Sequence, residues 1–204
     1  MTPNNYSYSR DEHYCYPPDY RVLVNRFDIR KQEALDEIER EIVGLKLLEI
    51  QAYPIPGNFD LLHLKVIHRR LFQDIYAWAG EVRKGSFLQK GETLFCLGQH
   101  IESFAAEIHH QLNTEKYLRG LGKLELIDRL AYHMGEINAL HPFREGNGRT
   151  QRVYFHQLVM GAGYNLDFNQ IPHEELLAAD IAAFEQNYAP LKAILERSLY
   201  PIES

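Results

Sequence analysis

The residues best suited to chemistry are concentrated in one run, His141-Pro-Phe-Arg-Glu-Gly-Asn-Gly-Arg-Thr-Gln-Arg152. It lies between two amphipathic segments, so this polar, glycine-containing stretch is a loop that feeds the start of a helix. A helix start presents unpaired backbone N–H groups and the positive end of a dipole, which together bind anions. Gly146 and Gly148 let the backbone approach a phosphate with no Cβ in the way. Arg149 and Arg152, three apart, lean back toward the helix start and converge on one polyphosphate, where their paired donors suit a β- and a γ-phosphate. Asn147 adds a side-chain amide to that cradle. Glu145 would compete for these donors unless a metal joined it to the phosphates, and Mg²⁺ held by one carboxylate plus phosphate oxygens is the usual solution. His141, on the other side of the loop, is placed to take a proton from an incoming hydroxyl as a neutral imidazole, while Phe143 points into the core.

The elements that must position this loop read as mainly helical. Asp28 is a plausible N-cap for a helix whose apolar face is Leu35, Ile38, Ile42, Leu45 and Leu48, ended by Tyr53-Pro54-Ile55-Pro56-Gly57. A second helix is predicted over about 59–78, with Leu64, Ile67, Leu71 and Ile75 on one face. His63 and His68 are five apart, poor geometry for a shared metal, and read as surface residues. Between Gly80 and Gly98 the pattern changes to a short β-hairpin with a polar turn at Gln89-Lys90-Gly91-Glu92. Helices resume with Ile101, Phe104, Ile108 and Leu112 on one stripe and Leu124, Ile127, Ala131, Met134 and Ile137 on the next. A further helix covers roughly 149–161, closed by Gly161-Ala-Gly163, and one or two more fill 173–199. Residues 1–20 carry five tyrosines and Pro17-Pro18 with no helical or strand period, and read as an irregular arm pinned to the domain by its rings.

Composition narrows the function classes. With 204 residues and 45% hydrophobic side chains the chain suits one core and one main domain, read as 21–200 behind the 1–20 arm. A net charge of -6 offers no overall field to hold a polyanion, so direct nucleic-acid binding is not expected. Cys15 and Cys96 are far apart and form no C-x-x-C pair, which argues against a zinc site or a disulfide framework and for a reducing, cytoplasmic setting. The N-terminus lacks a signal-peptide core and no apolar run is long enough to cross a bilayer, so no membrane partner is expected.

The 141–152 run also resembles the signature of Fic (filamentation induced by cAMP) proteins, H-x-F-x-(D/E)-G-N-G-R-x-x-R. His141, Phe143, Glu145, Gly146, Asn147, Gly148, Arg149 and Arg152 fill all its specified positions. Upstream, Ile67-His-Arg-Arg-Leu-Phe-Gln-Asp-Ile-Tyr-Ala-Trp-Ala-Gly80 is similar to the helix that precedes the family's flap, and the likeness covers most of 20–200. The resemblance implies the Fic fold, a helical bundle with a short β-hairpin flap over the active site. It implies transfer of AMP from Mg-ATP to a Ser, Thr or Tyr hydroxyl, with His141 as base, Glu145 as Mg²⁺ ligand and Gly146, Asn147, Gly148, Arg149 and Arg152 on the nucleotide. The hairpin near 82–96 corresponds to the flap, which pairs its edge with an extended segment of the target protein. Doc-type relatives, which transfer a phosphoryl group, carry Lys where Gly148 stands, so the residue here favours adenylyl transfer. Transfer of a phosphoryl or other nucleotide group, and a non-catalytic nucleotide-binding module, remain the alternatives.

Many Fic proteins are restrained by a helix bearing (S/T)-x-x-x-E-(G/N), whose glutamate pairs with the residue equivalent to Arg152. Only Ser103 with Glu107 has that spacing, and Ile108 follows where Gly or Asn is expected, so the pair reads as part of an ordinary packed helix. The expectation is therefore a restraint supplied from outside, by a small antitoxin bearing the inhibitory helix. That makes this chain the toxin of a bacterial pair, with DNA gyrase and topoisomerase IV as candidate targets. The alternative is that an inhibitory segment belongs to a longer form of the protein.

Overall fold

In the computed structural model, which describes residues 6–8, 11–85 and 87–202, the chain is mainly α. In chain order the elements are β1 (Tyr6–Tyr8), α1 (Gln32–Ala52), α2 (Leu61–Phe72), β2 (Leu88–Lys90), β3 (Thr93–Leu94), α3 (Ile101–Thr114), α4 (Lys123–Leu140), α5 (Asn147–Gly161), β4 (Tyr164–Leu166), α6 (His173–Phe184), α7 (Ala189–Ser198) and β5 (Leu199–Pro201). The central helix is α4, which packs on α3, α5, α6 and α7, while α2 packs on α1, α3 and α5. Among the described residues, no helix is long and apolar enough to cross a membrane.

The apolar periods of α2, α3 and α4 explain their packing. Leu64, Ile67, Leu71 and Ile75 are all buried, as are Ile101, Ile108 and Leu112, and Ile127, Ala131, Met134 and Ile137. Leu124, expected on the last stripe, is exposed instead, in the first turn of α4. The second helix is shorter than predicted: Asp60 caps α2 by accepting from the His63 N–H at 2.8 Å, and α2 ends at Phe72.

The stripe predicted for α1 is rotated. Leu35, Val43 and Ile50 are buried, whereas Leu45 and Leu48 are each 64% exposed. Asp28 does not cap the helix; it has φ 51° and lies outside it, and Lys31 occupies the N-cap position.

The hairpin forms where the sequence places it, with Gln89 opposite Leu94, Lys90 opposite Thr93, and Gly91 at φ 58° in the two-residue turn. Such a turn demands positive φ, which glycine accepts without strain. The N-terminal arm is not wholly irregular. Its residues Tyr6–Tyr8 pair antiparallel with β2, Tyr6 opposite Lys90 and Tyr8 opposite Leu88, giving a three-stranded sheet ordered β1-β2-β3. Of the arm tyrosines whose side chains are described, Tyr14 is buried edge-on to Trp78, Tyr16 donates to the Asn25 carbonyl at 3.3 Å, and Tyr20 stays exposed. A second small sheet, β4 against β5, ties residues 164–166 to 199–201.

Candidate active site

The loop between α4 and α5 starts with a forced turn. Pro142 has no N–H and cannot extend α4, and His141 closes the helix at φ 42°, ψ 61°, its own N–H still reaching the Ile137 carbonyl at 3.2 Å. A left-handed backbone at a non-glycine residue is strained and persists only where its surroundings hold it. They do: Arg83, a buried side chain, donates from Nε to the His141 carbonyl at 2.9 Å and from a terminal nitrogen to the Cys96 carbonyl, and its N–H donates to the Pro142 carbonyl at 2.9 Å. Arg83 thereby joins the two ends of the hairpin segment to the loop.

The imidazole of His141 is 7% exposed and stacked on the Phe95 ring, with centroids 3.8 Å apart. Nδ1 lies 3.1 Å from the Asn138 carbonyl. A carbonyl only accepts, so Nδ1 carries the proton and Nε2 is left as the acceptor a base requires. Burial, assisted by the charges of Arg83 and Lys90 and opposed by the Asn138 bond, lowers the His141 pKa to about 3, so the ring is neutral throughout the physiological range. The ring is seated under the hairpin, with one face against Phe95.

Beyond Pro142, Phe143 is buried as expected and stacks on His68 at 4.0 Å. Asn147 is buried, with its amide engaged at both ends on the loop's own backbone: Oδ1 accepts from the Phe143 N–H at 3.0 Å and Nδ2 donates to the Phe143 carbonyl at 2.8 Å. These two bonds make the amide a staple that folds the loop. Gly146 likewise has another reason to be glycine. Its φ is 80° and a Cβ there would stand 2.5 Å from the Phe72 ring. Gly148 is exposed and open, its hypothetical Cβ meeting only Arg152 Nη1 at 3.6 Å. No side chain caps α5, which leaves its first-turn N–H groups for a ligand.

The two arginines differ. Arg152 folds back over Gly148 and borders a cleft of about 310 Å³ shared with Leu47, His156 and Phe168. Lost hydration, and then the nearby charge of Arg149, lower its pKa. Arg149 is clamped: Nη1 lies 2.6 Å from Glu39 Oε1, Nη2 lies 3.7 Å from Glu145 Oε1, and the guanidinium sits 4.7 Å above the Phe72 ring. Burial disfavours its charge, but the carboxylates of Glu39 and Glu145 more than offset that and raise its pKa.

Glu145 Oε1 accepts from the Gly146 N–H at 2.9 Å, whereas Oε2 is buried with no hydrogen-bond partner among the described residues. A buried carboxylate oxygen without a donor is costly, and a hard cation shared with phosphate oxygens suits it. Among the described residues no group of three or more His, Cys, Asp or Glu side chains forms a metal cage, so a cation here would depend on a ligand for the rest of its coordination.

Four residues in and around this site are not marked by the sequence. His68, expected at the surface, is fully buried; Nδ1 accepts from the Gly80 N–H at 2.8 Å and Nε2 donates to the Glu145 carbonyl at 2.9 Å. Burial lowers its pKa to about 4, which keeps that donor–acceptor pattern intact. His63 is buried too. Arg83 carried no motif that could have marked it. Glu39 had a signal, a charge four residues from Leu35 and four from Val43 on the face α1 buries.

An uncapped helix start with two arginines and a carboxylate whose Oε2 has no hydrogen-bond partner among the described residues, beside a neutral imidazole under a hairpin, is suited to a nucleotide. More particularly, the chain matches the Fic/DOC family over residues 58–159, and it belongs to that family. It is 40% identical over 182 residues to the protein adenylyltransferase VbhT of Bartonella schoenbuchensis, covering 89% of this chain and 38% of that one. It is also 40% identical over 161 residues to the probable protein adenylyltransferase Fic of Escherichia coli, covering 79% and 78%. Among solved structures, BepC of Bartonella tribocorum with bound AMPPNP superposes with a TM-score of 0.86 at 28% identity, over 94% of this chain and 98% of that one.

Proposed function

We propose that the chain moves AMP from Mg-ATP onto a Ser, Thr or Tyr hydroxyl of a bacterial protein and acts as the toxin of a toxin-antitoxin pair. Its enzyme class, protein adenylyltransferase, is that of its curated relatives. The observation that carries the reading is the partnerless buried Glu145 Oε2 at the mouth of an uncapped α5, next to arginine side chains.

In this mechanism the first-turn N–H groups of α5, Arg149 and Arg152 hold the polyphosphate, and Glu145 would hold Mg²⁺, which would supply charge neutralisation to the phosphates. The target hydroxyl oxygen attacks the α-phosphorus as its proton passes to His141 Nε2. The bond between the α-phosphorus and its bridging oxygen to the β-phosphate breaks, and pyrophosphate leaves with that electron pair. Nε2 is buried, so the hydroxyl reaches it only when the site opens, and Phe95 stacked on the imidazole ties that ring to the hairpin. The target segment adds to the β3 edge of the hairpin, since the β2 edge carries β1.

Restraint comes from a small antitoxin whose inhibitory glutamate meets Arg152. Within this chain Ser103 and Glu107 are both exposed on α3, with Ser103 Oγ donating to the His100 carbonyl at 3.0 Å. DNA gyrase and topoisomerase IV are the candidate targets. Incubating purified chain with α-labelled ATP, Mg²⁺ and bacterial lysate should label a discrete protein, with mass spectrometry finding an added AMP. An added phosphate would replace adenylyl transfer by phosphoryl transfer, and no label at all would favour a non-catalytic nucleotide-binding module.

A further inference from the structure

The buried stripe of α1 is apolar at Leu35, Val43 and Ile50 and charged at Glu39, one turn from each neighbour. A carboxylate on a packed helix face needs partners, and Glu39 has two. Oε1 lies 2.6 Å from Arg149 Nη1, and Oε2 accepts from the Tyr76 hydroxyl. Tyr76 is itself fixed, buried and stacked on Trp78 at 4.6 Å. The side chain of Glu39 is 13% exposed and that of Arg149 24%, so solvent screens this pair little.

Arg149 also has a competitor four residues away. Glu145 stands four residues before Arg149 in the loop that leads into α5, and its Oε1 is 3.7 Å from Arg149 Nη2. The shorter contact belongs to Glu39, which comes from another element.

Resting on the reading that this loop holds a nucleotide, we propose that Glu39 is a positioning residue that fixes Arg149 over Phe72 and holds its contact with Glu145 to the longer one, at Oε1, leaving Glu145 Oε2 for the ligand. Without the charge at Glu39, Arg149 closes on Glu145, and the donor and the carboxylate are lost to the nucleotide together.

The test is a double-mutant cycle read by binding as well as by transfer. A fluorescent ATP analogue with Mg²⁺ is titrated into the parent, Glu39→Gln, Arg149→Ala and the double variant, and AMP transfer is followed over ATP concentration in each. Glu39→Gln should raise the Kd and the KM for ATP about tenfold, the scale of one lost charged hydrogen bond, with a smaller change in kcat. In the Arg149→Ala background the same substitution should change the Kd less than twofold, because its effect passes through Arg149. Tyr76→Phe, which removes only the hydroxyl, should move the Kd in the same direction, and Glu39→Asp should recover part of the loss. An equal effect of Glu39→Gln with and without Arg149 overturns the proposal, as does a Kd within twofold of the parent. A parent that binds no ATP analogue fails the nucleotide reading itself, and the positioning role with it; a parent that binds with an additive cycle fails the positioning role alone.

Discussion

At the scale of single residues, the imidazole of His141 and the α-carbon of Gly146 make opposite predictions. His141→Ala should lower AMP transfer by a factor on the order of 10² or more while ATP affinity stays near that of the parent; unchanged transfer would remove His141 from the role of base. Gly146→Ala should instead lower stability, since the added methyl meets Phe72 at 2.5 Å in a backbone at φ 80°. The cost is on the order of 1–3 kcal/mol, measurable as a fall in the chemical denaturation midpoint, and an unchanged midpoint would contradict the close contact. The run from His141 to Arg152 was legible because types and spacing announce it, yet the assignment of jobs within it was only partly so. Asn147 and Gly146 look like phosphate binders in a linear string; only the folded loop shows that they also bind Phe143 and pack on Phe72.

At the scale of elements, the helices with uninterrupted apolar periods were readable, and α1 was not, because its buried face carries a glutamate and its exposed face carries Leu45 and Leu48. His68 was misread for the same reason: a titratable side chain looks polar in the string, whereas its two ring nitrogens are both satisfied between Gly80 and Glu145. β1, β4 and β5 are three residues each and leave no period to detect. The link between hairpin and loop through Arg83 gives an element-level prediction. Arg83→Met should free the hairpin, so trypsin cleaves after Lys90 faster than in the parent while cleavage within the helices is unchanged. Equal cleavage at Lys90 would mean that Arg83 does not hold the hairpin. Asn147→Ala should cost about 1–3 kcal/mol for the buried backbone groups it abandons and weaken nucleotide binding through loss of loop order, an effect a titration with ATP resolves.

For the whole molecule, burial of neutral histidines sets the response to acid. His68 and His141 have folded pKa values of about 4 and about 3, below the ordinary value for an exposed histidine, and burial lowers those of His63 and His133 as well. Because the folded values are depressed, the unfolded chain takes up protons first as pH falls. Stability is therefore full above the unfolded pKa of about 6.5 and declines below it, by about 1.4 kcal/mol per pH unit for each such group. Asp180, whose pKa burial raises to about 6, takes up its proton in the folded chain over the same interval and offsets part of this loss. The melting temperature should still drop by roughly 5–10 °C between pH 7 and pH 5, and a flat profile would mean that these rings are not buried neutral. The ring of Phe95 over His141 has an experimental use of its own. Imidazole-acylating reagents attack the uncharged ring, and His141 is uncharged at any working pH but shielded, whereas His13, His100, His110 and His173 are open to solvent. The pace at which His141 alone is acylated would then clock how often the buried Nε2 becomes accessible, with no substrate needed to observe it.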